Sequence, residues 1–118
     1  MKSEKYKEFR EAFIKKTFDL SDAKRIEYTE GNQDIDVHTN FRRIGNELGL
    51  SPVKVLAVYL VKHIKSLLTF FKLGQTFSNE TLESRVSDIV NYLILLLSYL
   101  HHEDLKDRDD RPEKRSQK

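Results

Sequence analysis

Three polar side chains interrupt the most apolar stretch of the sequence, residues 85–100. Asp88, Asn91 and Tyr92 are spaced by steps of three and four, so on a helix they share one face. A buried carboxylate is costly unless a protein group or a ligand pairs with it. Arg85 is the obvious partner within the same helix, and the polar face would then be a structural lock. Alternatively, Asp88 and Asn91 contact the base or ribose edges of a ligand while Tyr92 orients it, and the pattern alone does not choose between the two.

His63 is the second unusual residue, because it falls on the apolar face of its own predicted helix. A lone histidine in that position is more often a hydrogen-bonded core residue than a ligand-binding group. If the two long helices pack antiparallel, however, His63 approaches the face that carries Asp88 and Tyr92. A nearby carboxylate would orient the imidazole and favour its charged form.

Three cations offer a way to hold a phosphate group. Arg42 and Arg43 lie at the start of a predicted helix, next to Asn40, where a guanidinium fork and free backbone N–H groups together suit phosphate. Lys62 lies beside His63 on a basic stripe. The alternative, solvated arginines on an amphipathic helix, fits the sequence equally well.

Weaker patterns surround these candidates. Asp34, Asp36 and His38 alternate in a segment predicted to be extended, which suggests a metal site but lacks a fourth ligand at a defined spacing. Residues 40–63 imitate a helix-turn-helix, yet the second helix would present Val55 and Leu56 where base-reading polar side chains are needed, so nucleic acid is not the expected partner. The sequence contains no glycine-rich phosphate loop and no common catalytic motif.

The composition predicts one compact domain. The 118 residues are 38% hydrophobic and 34% charged, and the 21 basic and 19 acidic residues leave a net charge of only +2, too small to attract nucleic acid by itself. No cysteine is present, which excludes disulfides and thiolate chemistry. The N-terminus lacks a signal-peptide core, and no apolar run approaches membrane-spanning length, so a cytoplasmic protein is expected.

The elements that must position these residues are all predicted to be helices, because few glycines and prolines interrupt a helical period. We predict about five helices in a compact all-α bundle. A first helix over 4–18 is followed by a short one over 22–29 that is capped by Ser21, and then by an extended loop over 31–38 and a helix over 40–48. Two long apolar helices follow at about 52–73 and 79–101, the first delimited by Ser51, Pro52 and Gly74 and the second capped by Ser78.

These limits define a single helical domain over 1–102 and a charged tail, frayed or disordered, over 103–118. The two long helices are apolar around most of their circumference. Three shorter helices do not suffice to cover them, and the sequence therefore predicts a homo-oligomer.

Four short motifs give the sequence a resemblance to a known family: Glu27-Tyr28, Asn40-Phe41, Lys62-His63 and the run from Asp88 to Leu96. In that order they resemble small helical proteins of phages and prophages with a nucleotide-modification-associated domain. The resemblance covers roughly residues 24–100. It implies a phage-encoded protein of the host cytoplasm that acts on or binds nucleotides, either in nucleotide modification or as an anti-defence protein that sequesters a host signal.

The helix around Asp88 is also similar to the last helix of MazG-like all-α nucleotide pyrophosphohydrolases. That family carries a Glu-x-x-Asp pair there and an earlier Glu-x-x-Glu, which together bind magnesium. Here Arg85 occupies the position of the metal-binding glutamate, and only Glu83 or Glu27 could assist Asp88. Magnesium is therefore implied only under this alternative, and no cofactor is expected otherwise.

Together these observations favour a small protein that binds a nucleotide or a nucleotide-derived signal, without catalytic residues or a metal of its own. Alternatives are a metal-dependent nucleotide pyrophosphohydrolase and a helical protein–protein adaptor. The expected phosphate ligands are the three cations, the expected base or ribose contacts lie on the polar face, and Tyr59 or Tyr92 would stack on the base. The complete set of expected ligand-binding residues is Arg42, Arg43, Tyr59, Lys62, His63, Arg85, Asp88, Asn91 and Tyr92.

Overall fold

The computed structural model describes residues 1–32, 34–75 and 78–110, with side chains up to 103 in the last helix. The described part is all-helical and contains four helices and no strand, which confirms the predicted fold class. The chain divides into two compact units, Met1–Asp36 and a second unit that begins at Val37.

The first unit is a single long helix, α1 (Ser3–Thr29), followed by a short loop. The prediction of two helices, over 4–18 and 22–29, is wrong, because the helix continues through Ser21 without a break. No glycine or proline occurs within it, so nothing forces the backbone to turn there. The helix ends where Glu30 adopts a left-handed conformation and the Gly31 N–H bonds to the Ile26 carbonyl.

The second unit begins with α2 (Thr39–Leu48), which ends at Gly49 in the left-handed conformation that glycine tolerates. The turn into the next helix is tight, because the Leu50 N–H bonds back to the Gly45 carbonyl at 2.9 Å. The sequence placed the end of this helix at Gly49, and the structure confirms it.

α3 (Pro52–Leu73) has the start and stop signals that the sequence predicted. The Ser51 side chain accepts a hydrogen bond from the Lys54 N–H at 3.3 Å, and Pro52 occupies the first turn. At the other end, Gly74 is left-handed and its N–H bonds to the Phe70 carbonyl at 2.7 Å.

α4 (Leu82–Asp110) begins three residues later than predicted and ends nine residues later. Thr81 caps it in place of Ser78, since the Thr81 hydroxyl accepts from the Ser84 N–H at 3.0 Å. The expected tail overlaps this helix over 103–110, and its remainder, 111–118, lies outside the described residues.

The core of the second unit lies where these three helices meet. Phe41 of α2 and Val55 and Leu56 of α3 are buried, and apolar or aromatic side chains of α4 pack against them. α3 and α4 run antiparallel, because Tyr59 meets Tyr92 while the later residue His63 meets the earlier Asp88. Along the described helices, none is long and apolar enough to cross a membrane.

Candidate functional site

The antiparallel packing of α3 and α4 brings His63 and Asp88 together. His63 Nδ1 lies 3.7 Å from Asp88 Oδ2, and the two side chains are 19% and 24% exposed. The distance is that of an ion pair and exceeds the length of a hydrogen bond. A carboxylate and an imidazole that are both partly open to solvent can contact a small molecule without leaving the helix interface.

Aromatic rings extend this pair toward the core. Tyr92 stacks on His63 with ring centroids 5.1 Å apart, and on Tyr59 at 5.7 Å with nearly parallel planes. Phe41 meets the rings of Tyr59 and Tyr92 edge-on, at 6.0 and 6.4 Å. Because Phe41 is itself buried, this ring cluster fixes the orientation of His63 from the core outward.

The three cations predicted to bind phosphate are not gathered at one place. Lys62 is exposed on α3 beside His63. Arg43 is exposed on α2, and its Nη2 donates to Asn40 Oδ1 at 2.7 Å. Arg42 lies against α4 close to Glu103, well away from Asp88. Of the three cations, only Lys62 is next to His63 in the sequence.

The remaining two predicted residues lie on α4. Arg85 is buried, and its Nη2 donates a 3.0 Å hydrogen bond to the Ser78 hydroxyl. This contact ties the segment before α4 to the first turn of the helix. Asn91 is half-buried, one position before Tyr92.

Sequence reasoning missed a second polar cluster, centred on His38. This histidine is buried, and its Nε2 lies 2.8 Å from the Ser98 hydroxyl. Ser98 donates its only hydroxyl proton to the Leu95 carbonyl, so it must accept from His38, which places a proton on Nε2. The sequence does show Ser98 as a polar residue within an apolar run, but it does not reveal that its partner, His38, lies sixty positions away.

The same cluster continues along α4 to Tyr99 and Glu103. The His38 ring meets the Tyr99 ring edge-on at 5.4 Å, and the Arg42 guanidinium lies 5.6 Å from the centre of the Tyr99 ring. Arg42 Nη2 also lies 3.3 Å from a Glu103 carboxylate oxygen. Burial raises the pKa of the Tyr99 phenol above its ordinary value, the Glu103 charge raises it further, and Arg42 partly opposes both.

Across the described residues, no group of three or more histidine, aspartate or glutamate side chains lies close enough together to hold a metal ion. The described part of the chain therefore does not assemble the metal site suggested by the alternation of Asp34, Asp36 and His38.

Comparisons with protein-family models, with curated proteins and with solved structures find no match for this chain. The resemblance to nucleotide-modification-associated and MazG-like proteins thus stays a prediction that rests on the quoted motifs.

Proposed function

We propose that the second unit binds a nucleotide or a nucleotide-derived small molecule between α3 and α4, at the His63–Asp88 pair. The observation that carries the proposal is that an imidazole and a carboxylate, both partly exposed, are held 3.7 Å apart at the edge of a stack of aromatic rings. Carboxylates accept hydrogen bonds from the amino and ring N–H groups of bases and from ribose hydroxyls. The imidazole offers a flat face on which a base can stack.

Lys62 supplies the charge that a phosphate group requires. It is exposed and directly precedes His63, so its flexible side chain can reach a phosphate while the base lies at the pair. Arg42 already contacts Glu103 and Tyr99, and we therefore give it no phosphate-binding role in this proposal. Sequestration requires only that the ligand is bound and released unchanged, which suits a site without a metal cluster among the described residues.

Native mass spectrometry of the purified protein against a panel of mono-, di-, tri- and cyclic nucleotides tests this proposal. We expect one or more nucleotides to bind and to be recovered intact after heat release. Release of pyrophosphate in the presence of magnesium would favour the pyrophosphohydrolase alternative instead. A protein that binds no nucleotide in the panel would contradict the proposal.

The residues are tested with the nucleotide that binds. Asp88→Asn keeps the shape but removes the charge, and it should weaken binding by roughly ten- to a hundred-fold, since a hydrogen bond to a charged group contributes about 1.5–3 kcal/mol. Lys62→Gln should weaken binding roughly ten-fold. Lys65 is an exposed lysine on the same helix, so Lys65→Gln serves as the matched control. Isothermal titration calorimetry measures all three. Equal affinities for Lys62→Gln and Lys65→Gln would remove Lys62 from the site.

A further inference from the structure

Arg85 is a buried cation in the first turns of α4. Its side chain is only 8% exposed, yet Nη2 bonds to a neutral group, the Ser78 hydroxyl, and Nε has no hydrogen-bond partner. Glu80, Glu83 and Asp88 are the nearest carboxylates in the sequence, and across the described side chains none forms an ion pair with Arg85. A buried charge without a counter-charge is costly, so the surroundings of Arg85 suit an anion that the described residues do not supply.

The Ser78 hydroxyl beside Arg85 has a proton left to donate. Its oxygen accepts from Arg85 Nη2 at 3.0 Å and from the Glu80 N–H at 3.3 Å, which uses both of its lone pairs. The hydroxyl proton has no acceptor among the residues that the structure describes. Because a hydroxyl that accepts twice can add a further bond only by donating, its next partner must be an acceptor.

The first turn of α4 adds a backbone donor at the same end of the helix. The Ser84 N–H bonds to the Thr81 hydroxyl at 3.0 Å, and the Arg85 N–H bonds to the Thr81 carbonyl at 3.2 Å. The Leu82 N–H, by contrast, bonds to no acceptor in the described ranges. Since the N-terminal end of a helix carries a partial positive charge, this end of α4 favours a negatively charged partner.

The three unused donors lie together and define the chemistry of their partner. Side chains on a helix lean toward its N-terminus, and the contact with Ser78 holds the Arg85 guanidinium ahead of the first turn. A carboxylate has two oxygens, and a single guanidinium fork can occupy both. A phosphate group has three strong acceptor oxygens and a larger negative charge, so it can bond to the guanidinium, the hydroxyl and the backbone N–H at once.

We propose that Arg85, Ser78 and the Leu82 N–H bind a phosphate group at the N-terminal end of α4. The inference does not depend on the proposed nucleotide site, because it uses none of the residues that carry that proposal. Leu82 and Asp88 are about 9 Å apart along the helix axis. The phosphate group therefore has two sources that fit the geometry, free phosphate and the nucleotide bound at the His63–Asp88 pair.

A nuclear magnetic resonance titration of the full chain with inorganic phosphate tests the proposal on the wild-type protein. Sodium chloride keeps the ionic strength constant, so that general screening of charges does not contribute. We expect saturable shifts that are largest at the backbone N–H of Leu82 and the Nε–H of Arg85. Shifts that do not saturate, or that are no larger at these two signals than elsewhere in the chain, would overturn the proposal.

Substitutions measure the contribution of each donor. Arg85→Gln removes the charge and should weaken phosphate binding roughly ten- to a hundred-fold, as expected for the loss of a charged hydrogen-bond partner. Arg10→Gln, the same substitution at an exposed arginine of α1, is the matched control and should leave the phosphate affinity unchanged. Ser78→Ala removes one neutral donor at an exposed position and should weaken binding by a smaller factor, roughly two- to ten-fold.

Circular dichroism verifies that the variants keep their helices. Equal phosphate affinities for Arg85→Gln and Arg10→Gln would overturn the proposal. If Arg85→Gln loses its helical signal, Ser78→Ala decides instead, and a phosphate affinity equal to that of the wild type would then count against the site.

The two sources of the phosphate group are distinguished with the nucleotide that binds in the mass-spectrometry panel. A loss of nucleotide affinity in Arg85→Gln that matches its loss of affinity for inorganic phosphate assigns the site to the phosphate of the nucleotide. Unchanged nucleotide affinity in the same variant assigns it to free phosphate. A protein that binds inorganic phosphate at Arg85 but no nucleotide would contradict the nucleotide proposal alone.

Discussion

At the scale of single residues, two histidines of one small unit have opposite environments. His38 is buried, and the hydroxyl of Ser98 fixes its tautomer. His63 lies at the edge of the same helical unit, beside a carboxylate that is itself partly open to solvent. A buried side chain whose proton is already placed is suited to fixing the position of α2, whereas a partly exposed pair retains the capacity to contact a ligand. This contrast is why the proposed site is centred on His63.

Tyr99 provides a prediction for alkaline solution. Burial and the Glu103 charge raise the pKa of its phenol above the ordinary value of 10.0. The unfolded chain therefore loses this proton at a lower pH than the folded chain, so the contribution of Tyr99 to stability is complete below about pH 10 and is lost as the pH rises through the folded pKa. Tyr99→Phe removes this ionisation. Its free energy of unfolding should consequently fall less than that of the wild type between about pH 9 and 11.

Urea unfolding followed by circular dichroism across that pH range measures the effect. The comparison variant is Tyr28→Phe, which removes a phenol from an exposed position of α1. If Tyr99→Phe and the wild type lose stability in parallel as the solution becomes alkaline, the environment assigned to Tyr99 is wrong.

At the scale of the elements, the chain connects α2 to α3 by a close backbone approach. A Cβ atom at Gly45 would lie 2.4 Å from the Leu50 carbonyl oxygen, which is backbone and cannot rotate away. The Leu50 N–H also bonds to the Gly45 carbonyl, so the turn closes directly on this glycine. The site geometry depends on the turn, because it sets the angle at which α2 delivers Phe41 to the ring cluster.

Gly45→Ala should therefore destabilise the protein, although alanine is the better helix former. Helix propensity favours alanine by roughly 1 kcal/mol, while the overpacking of a close contact costs about 1–3 kcal/mol, and the required backbone movement makes the second effect the larger. We expect a net loss of up to about 2 kcal/mol in the free energy of unfolding, measured by urea denaturation. Asn46→Ala, at the exposed adjacent position, should be neutral or slightly stabilising. A Gly45→Ala variant as stable as Asn46→Ala would show that the turn can open without cost.

At the scale of the whole molecule, the sequence correctly predicted the helix limits that depend on neighbouring residues. Ser51, Pro52 and Gly74 delimit α3 because caps and turns depend on neighbouring residues, and the structure follows them. The meeting of His63 with Asp88 was predictable because antiparallel packing of two long helices leaves few possible registers.

What the sequence did not predict depends on longer-range context. Ser21 has the chemistry of a helix cap, yet the helix passes through it, because the cost of an interior serine is small compared with that of breaking a continuous helix. The contact between His38 and Ser98 joins positions sixty residues apart, and no local pattern encodes such a pairing. The contact between His63 and Asp88 was thus predicted from the sequence, whereas the cluster around His38 at the other end of α4 was not.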